Sequence, residues 1–300
     1  MISKAKQASV ILSSLISYGS SNDDFVPNLL PGLLPPEGTV WRGSTIAWDD
    51  GNSYWGCPVE NFETNYGVPV HIYRNFKKVP NARLLDEFEG GFIKNGGIVF
   101  YSLKLEPWAE YAEGTGHRDG DIRAFARAIK EMEPHQLMVC PGYEPNNGLY
   151  EYCKSEDKCL GTAEDYKAMF ENFDRIFKEE RVTNHLWAMD FGGGIIDKHF
   201  LAKDLWPDVE ISWLMWNMFQ FHPNKKTKNG KIGSCAEGVR TVAKGFVDMF
   251  DEMPIWKDIP WAIGAWSITE DKDVPIEDRA DCLLGMKELI DSGEIPQLKA

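Results

Sequence analysis

No stretch of this chain stays apolar long enough to cross a membrane. The longest early run, "ASVILSSLISYG", falls short of the ~20 residues a bilayer requires. No Cys-x-x-Cys pair occurs among the six cysteines, so their spacing gives no sign of a zinc site and no metal is expected. Basic residues are the minority, with 32 Lys and Arg against 46 Asp and Glu and a net charge of −14. Nucleic acids and anionic membrane surfaces, which need clustered positive charge, are therefore poor partners. Internal repeats, low-complexity linkers and breaks in composition are missing as well.

What is present is core material. Hydrophobic residues make up 43% of the 300 positions, enough to rule out global disorder. Eleven Trp is a high number. Indole faces stack on sugar rings, but most of these residues are assigned to the core. Lys4 and Lys6 precede the early apolar run, the outline of a weak secretory signal. Residues 1–37 are read as a proline-rich lead-in with a candidate signal, and 38–300 as one domain. Cys153 and Cys159 flank a charged loop that a disulfide could close, whereas Cys140 sits in an apolar run as a buried thiol.

Seven β-rich runs alternate with amphipathic stretches. The runs are Thr39–Trp48, Val68–Phe76, Gly96–Lys104, His135–Tyr143, Asn184–Gly192, Glu210–Phe219 and Ile259–Ile268. Several are continuously apolar, as expected of strands covered on both faces. Between them, "DGDIRAFARAIKEME" places Ile122, Phe125, Ala126 and Ile129 on one helical face. "TAEDYKAMFENFDRIFKEE" opens on a Thr cap and aligns Tyr166, Phe170, Phe173 and Phe177. "CAEGVRTVAKGFVDMFDEM" and "IEDRADCLLGMKELIDSG" read as helices too, the latter stopped by Gly293. Repeated strand–helix units predict a parallel sheet with helices outside, an α/β (β/α)8 TIM barrel. The final "IPQLKA" reads as the approach to an eighth strand that is truncated or lacking. Either Leu298–Ala300 and the lead-in cover the resulting seam, or the chain is a piece of a longer one with low stability by itself.

In such a barrel the chemistry sits at the C-terminal strand ends. These carry Trp48, Arg74, Lys104, Tyr143, Glu144, Asn146, Asp190, Trp216, Asn217, Ala265 and Trp266. Glu144 leads the list, because it follows a buried run directly and precedes Pro145, which is expected to hold it extended. Trp48, Trp55, Trp216 and Trp266 are candidate sugar platforms, with core packing the alternative. Lys104 and Arg74 can bind hydroxyls or simply form ion pairs. His117 and His222 read as plain surface, and "DFGGG" at Asp190–Gly194 lacks the flanks of a kinase or phosphate loop.

The segments "GGIVFYSLKLEPWAEYAEGTGHRDGDIRAFARAIKEM", "GYEPNN", "GTAEDYKAMFENFDRIFKEERVTNHLWAMDF", "LWPDVEISWLMWNMF" and "DIPWAIGAWS" occur in that order. Together they resemble glycoside hydrolase family 26 and its relatives from about Trp41 to Ala300. The resemblance implies a barrel of retaining β-glycanases acting on mannan or xylan, secreted and monomeric, with no cofactor. It implies that Glu144 is the acid/base; Lys104, Tyr143, Asn146, Asp190, Asn217 and the Trp residues are expected to bind substrate from their strand-end positions. It also implies a nucleophilic Glu at the end of the seventh strand, where this chain has Ala265. Tyr143 replaces the family's His before the acid/base, and Phe219 stands where a Tyr orients the nucleophile. Three readings stay open: an introduced nucleophile knockout, a non-catalytic glycan-binding relative, or another carboxylate in its place (Asp190, Glu270 or Asp271). A lyase using Lys104 and Arg74 on a uronate is a further rival.

Overall fold

The computed structural model describes residues 35, 43–45, 70–79, 87–112, 117–149, 159–192, 202–221, 235–249, 258–268, 276–295 and 297–299. Seven strands follow one another in a single sheet: β1 (Gly43–Thr45), β2 (Ile72–Lys78), β3 (Ile98–Lys104), β4 (Leu137–Pro141), β5 (His185–Gly192), β6 (Trp213–Phe221) and β7 (Trp261–Ile268). Every neighbouring pair is parallel. Helices α1 (Glu87–Lys94), α2 (Asp119–Lys130), α3 (Ala163–Glu179), α4 (Cys235–Met249) and α5 (Ile276–Ser292) lie between strands or after β7. This is the expected α/β barrel architecture. The ring does not close among the described residues. After α5, Leu298 forms one parallel bridge to Trp261 at the start of β7, so the eighth position is begun beside its neighbour.

The continuous apolar runs resolve into two cores by the period-two geometry of a strand. Ile72, Ile98, Phe100, Met138, Cys140, Leu186, Ala188, Trp213, Met215 and Ala262 fill the concave interior. Their chain neighbours, such as Val99, Tyr101, Val139, Trp187, Leu214 and Trp261, pack outward against the helices. The helical faces read from the sequence are the buried ones: Ile122, Phe125, Ala126 and Ile129 on α2, and Tyr166, Phe170, Phe173 and Phe177 on α3. Thr162 caps α3 reciprocally with Asp165, a capping box contributing about 1 kcal/mol. Gly293 follows α5 with φ +67°, the left-handed stop a glycine allows.

Helix α1 has no counterpart in the sequence reading. Its segment "EFEGGFIK" carries two adjacent glycines, which mask the periodicity. It supplies Glu89, which is fully buried, pairs with Lys77, and accepts hydrogen bonds from Asn75 and from the Tyr101 hydroxyl. Cys140 is a buried free thiol and Cys159 is in a disulfide. Cys153, Trp48, Trp55, His222, Glu270 and Asp271 lie outside the described residues. No helix among the described residues is long and apolar enough to cross a membrane.

Candidate active site at the strand ends

Strand β4 ends at Pro141, and the chain turns through Gly142, whose φ is +69°. A Cβ there would also press on Met169, Tyr166 and Trp108, so the turn requires glycine for both reasons. Glu144 follows with φ 51° and ψ 50°, a left-handed backbone that is uncommon for a residue with a side chain. The extended conformation expected before Pro145 is not what forms. The Glu144 N–H instead donates to the Asp190 carbonyl at 2.7 Å, and the Glu144 carbonyl accepts from the Asn147 N–H at 2.9 Å. Strain of this kind costs about 1–3 kcal/mol and persists where surrounding contacts over-determine it. Here β5 and the single helical turn Pro145–Gly148 fix both sides of the residue.

The Glu144 carboxylate is partly exposed and held by two amides. Asn217 Nδ2 donates to Oε1 at 2.8 Å and Asn147 Nδ2 to Oε2 at 2.9 Å. Gly192 makes room for this arrangement. A Cβ on it would lie 2.2 Å from Asn147 Nδ2 and 3.2 Å from the Glu144 carboxyl carbon. Gly192→Ala is therefore expected to push Asn147 off Glu144 and to cost about 1–3 kcal/mol, read from urea unfolding. Asn146, a predicted substrate contact, uses both ends of its amide on the Gly192 backbone, each at 2.8 Å, and is buried. That placement makes it a clamp between the turn and β5.

Beneath Glu144 lies a buried charge network. Arg74 on β2 is 2% exposed and ion-pairs with Asp190 on β5. Its Nε donates to Ser102 Oγ at 2.9 Å and its Nη1 to Asn217 Oδ1 at 2.6 Å. The guanidinium also lies over the rings of Phe76 and Phe100, at 4.5 and 5.0 Å. Asn217 Nδ2 reaches Asp190 Oδ2 at 3.1 Å. Burial pushes the Asp190 carboxyl up to about 6; Arg74 pulls it down, and the Glu144 charge adds to the push. Asp190 is wholly buried, so it cannot reach a sugar, and the reading in which it replaces the nucleophile does not fit. Its Oδ2 and Glu144 Oε1 share one amide nitrogen.

The seventh strand closes over this network with a bulge. Trp216 pairs with Ile263 and Asn217 with Ala265, so Gly264 is the extra residue. A Cβ on Gly264 would sit 2.8 Å from both Arg74 Nη1 and Asn217 Oδ1, so the glycine lets the guanidinium lie against the strand. Ala265 thus holds the register position beside Asn217, the residue that holds Glu144. Trp266 pairs in register with Met218.

The remaining expectations divide. Lys104 ends β3 half-exposed and pairs with Glu106 at 2.9 Å, a hydrogen bond that raises its pKa. Tyr143 is half-buried, with its ring edge-on to Phe76 at 5.0 Å; burial pushes its hydroxyl pKa up. Trp216 does not fit the platform role. It is 1% exposed and stacks on Phe246 of α4 at 4.9 Å, because its neighbour Asn217 takes the inward-facing position. His117 is exposed, as expected. Phe76, Ser102, Asn147, Gly192 and Gly264 escaped the sequence reading. Only their position at or near strand ends could have marked them.

No family model matches the sequence, and no curated protein matches it. Solved structures do. The catalytic domain of the GH26 endo-β-1,4-mannanase from Bacillus sp. JAMB-750 superposes with a TM-score of 0.58 at 13% identity, covering 83% of this chain and 73% of that one. A GH26 β-mannanase from Bacteroides ovatus gives 0.52 at 12% identity, covering 87% and 90%. A family 1 β-glucosidase from Thermotoga maritima gives 0.51 at 12%, covering 89% and 88%. At such identities the likeness concerns architecture. The chain therefore has the parallel-barrel fold of glycoside hydrolases, and GH26 β-mannanases are among its relatives in fold.

Proposed function

We propose that this chain is a glycoside-hydrolase-type protein that takes a β-linked oligosaccharide of the mannan or xylan class at its strand ends. Glu144 is the acid/base, and Ala265 occupies the nucleophile position. The observation that carries this reading is Glu144 itself. It is a strained, partly exposed carboxylate at the end of β4, held by Asn217 and Asn147, with Ala265 in register beside Asn217. Glu144 would protonate the leaving glycosidic oxygen and later take a proton from water. A methyl cannot attack the anomeric carbon, so capture of the sugar needs a carboxylate or anion from elsewhere. Tyr143 and Phe76 offer ring surface and Lys104 a hydrogen-bond donor for sugar hydroxyls. The disulfide at Cys159 supports an oxidising, extracellular setting, and a monomer is sufficient for this chemistry.

A second reading, glycan binding without hydrolysis, is favoured by the sealing of Asp190 under Arg74, which removes the nearest alternative carboxylate. Ala265→Glu separates the two. Gain of mannan or xylan hydrolysis, abolished again by Glu144→Gln, supports the hydrolase reading, as does rescue of the parent by azide or formate. Oligosaccharide binding with neither gain nor rescue supports the binding reading. Absence of both binding and hydrolysis overturns the carbohydrate assignment.

A further inference from the structure

We propose that Asn217 is the positioning residue of this site: Arg74 fixes the direction of its amide, and that amide ties Glu144 to the buried Asp190. The inference deepens the proposed role of Glu144 and rests on it only for the name of the group being positioned. An Asn side chain can present either its oxygen or its nitrogen, and in isolation the two orientations differ little. Here Arg74 removes the choice. The guanidinium has donors and no acceptor, so its Nη1 at 2.6 Å holds the Asn217 oxygen. The nitrogen must then face away from Arg74. Its two hydrogens meet two carboxylates, Glu144 Oε1 at 2.8 Å and Asp190 Oδ2 at 3.1 Å.

Asn217 is 1% exposed, so both hydrogens need protein partners. The alternative orientation would aim an oxygen at two carboxylates and a nitrogen at a cation. Glu144 is thereby held to the same rigid strand layer as Arg74 and Asp190, although it sits on a turn. The arrangement also makes the two carboxylates sense each other, since they share one donor at short range. The charged and titratable groups around Asp190 are Arg74 from β2, Cys140 and Glu144 from β4 and its turn, and Tyr166 from α3. Gly264 contributes no side chain from β7, and a Cβ there would lie 3.2 Å from Asp190 Oδ1.

The test follows the Asp190 carboxyl by carbon-13 NMR through a pH titration of the full chain, with Asp190→Asn to assign the signal. In the parent, Glu144→Gln is expected to move the Asp190 midpoint from about 6 toward the ordinary aspartate range. In an Asn217→Leu background, the same substitution is expected to move it little, because Glu144 is no longer held close. A shift of equal size in both backgrounds overturns the proposal, since packing alone would then account for Asn217. If Asn217→Leu does not fold, Arg74→Lys serves in its place. It keeps the positive charge but gives up the guanidinium bond that orients the amide, and a partial loss of the coupling is expected. An undiminished shift in that variant overturns the proposal equally. Neither measurement uses a sugar, so an absence of glycan binding would refute the functional reading and leave this one standing.

Discussion

Replacing Arg74 by methionine is expected to destabilise the fold by about 3–5 kcal/mol near neutral pH. The residue is buried in the barrel interior and supplies the counter-charge of Asp190, which is itself fully buried. Methionine has similar length and fills the space between Phe76 and Phe100, so the loss is electrostatic rather than steric. Three acceptors lose a donor together: Asp190, Asn217 Oδ1 and Ser102 Oγ. A buried carboxylate without its partner either stays charged at high cost or takes a proton. The double variant Arg74→Met with Asp190→Asn should recover much of the loss, because no unpaired charge remains. Urea midpoints of the parent, both single variants and the double variant measure this. A methionine variant within about 0.5 kcal/mol of the parent would mean that Arg74 is not the group neutralising Asp190.

The second large effect is hidden in the parent because two groups, the buried Asp190 and the half-buried His185, oppose each other. Asp190 has its folded pKa raised to about 6 by burial, from an ordinary value of 3.8. The folded state then binds more protons than the unfolded state, so this group's stabilisation is complete below about pH 4 and is lost as pH rises through about 6. His185, at the start of β5, runs the other way. Burial lowers its pKa from 6.5 to about 4, with Asp174 pulling upward and Lys178 adding to the fall. Its ring packs between Phe177 and Trp187 at 4.8 and 4.5 Å, surroundings that favour the neutral form. Its stabilisation is present above about pH 6.5 and is lost as pH falls through about 4. Each shift corresponds to about 3 kcal/mol at ~1.36 kcal/mol per pH unit. The two nearly cancel between about pH 4 and 6.5. Glu180, lowered to about 2 by its hydrogen bonds to Arg127 and Arg123, acts below that window. Asp190→Asn should therefore show stability rising with pH across it, and His185→Gln stability falling. If Asp190→Asn keeps the parent's slope, the buried carboxyl is already ionised well below pH 6.

Much of the fold was legible because burial on both faces leaves an unmistakable pattern. The apolar runs ending at Lys104, Gly192 and Ile268 end their strands at the same residues. Helices α2 and α3 announced themselves through aromatic and aliphatic spacing and the Thr162 cap. Helix α1 did not, because Gly90 and Gly91 break its periodicity and its stability comes from packing against β2 and β3. Glu144 stood out because it follows the buried run "HQLMVCPGY" directly and precedes Pro145, although the same position also suits a solvated loop carboxylate. Its left-handed backbone was not legible, since that depends on the Asp190 carbonyl, 46 residues later in the chain.

Adjacent pairs show where a strand-end list loses resolution. Trp216 and Asn217 were both candidates, yet a strand turns successive side chains to opposite faces, and only one can point inward. The sequence does not say which. Asn217 wins because Arg74, Asp190 and Glu144 converge on it from three other strand ends, and Trp216 stacks on Phe246 instead. On β7 even the alternation is reset by the bulge at Gly264, which no local pattern marks.

By itself the sequence determined the order of the strands and of the helices other than α1, the apolar faces that pack, and the presence of one carboxylate at the end of β4. Those properties are local, set by the period of each segment and by the residue that ends it. Only the tertiary structure decided that Asp190 is sealed beneath Arg74, that Asn217 holds Glu144, and that Gly192 and Gly264 must stay small. Those depend on which strand ends meet across the ring, a relation between residues distant in the chain.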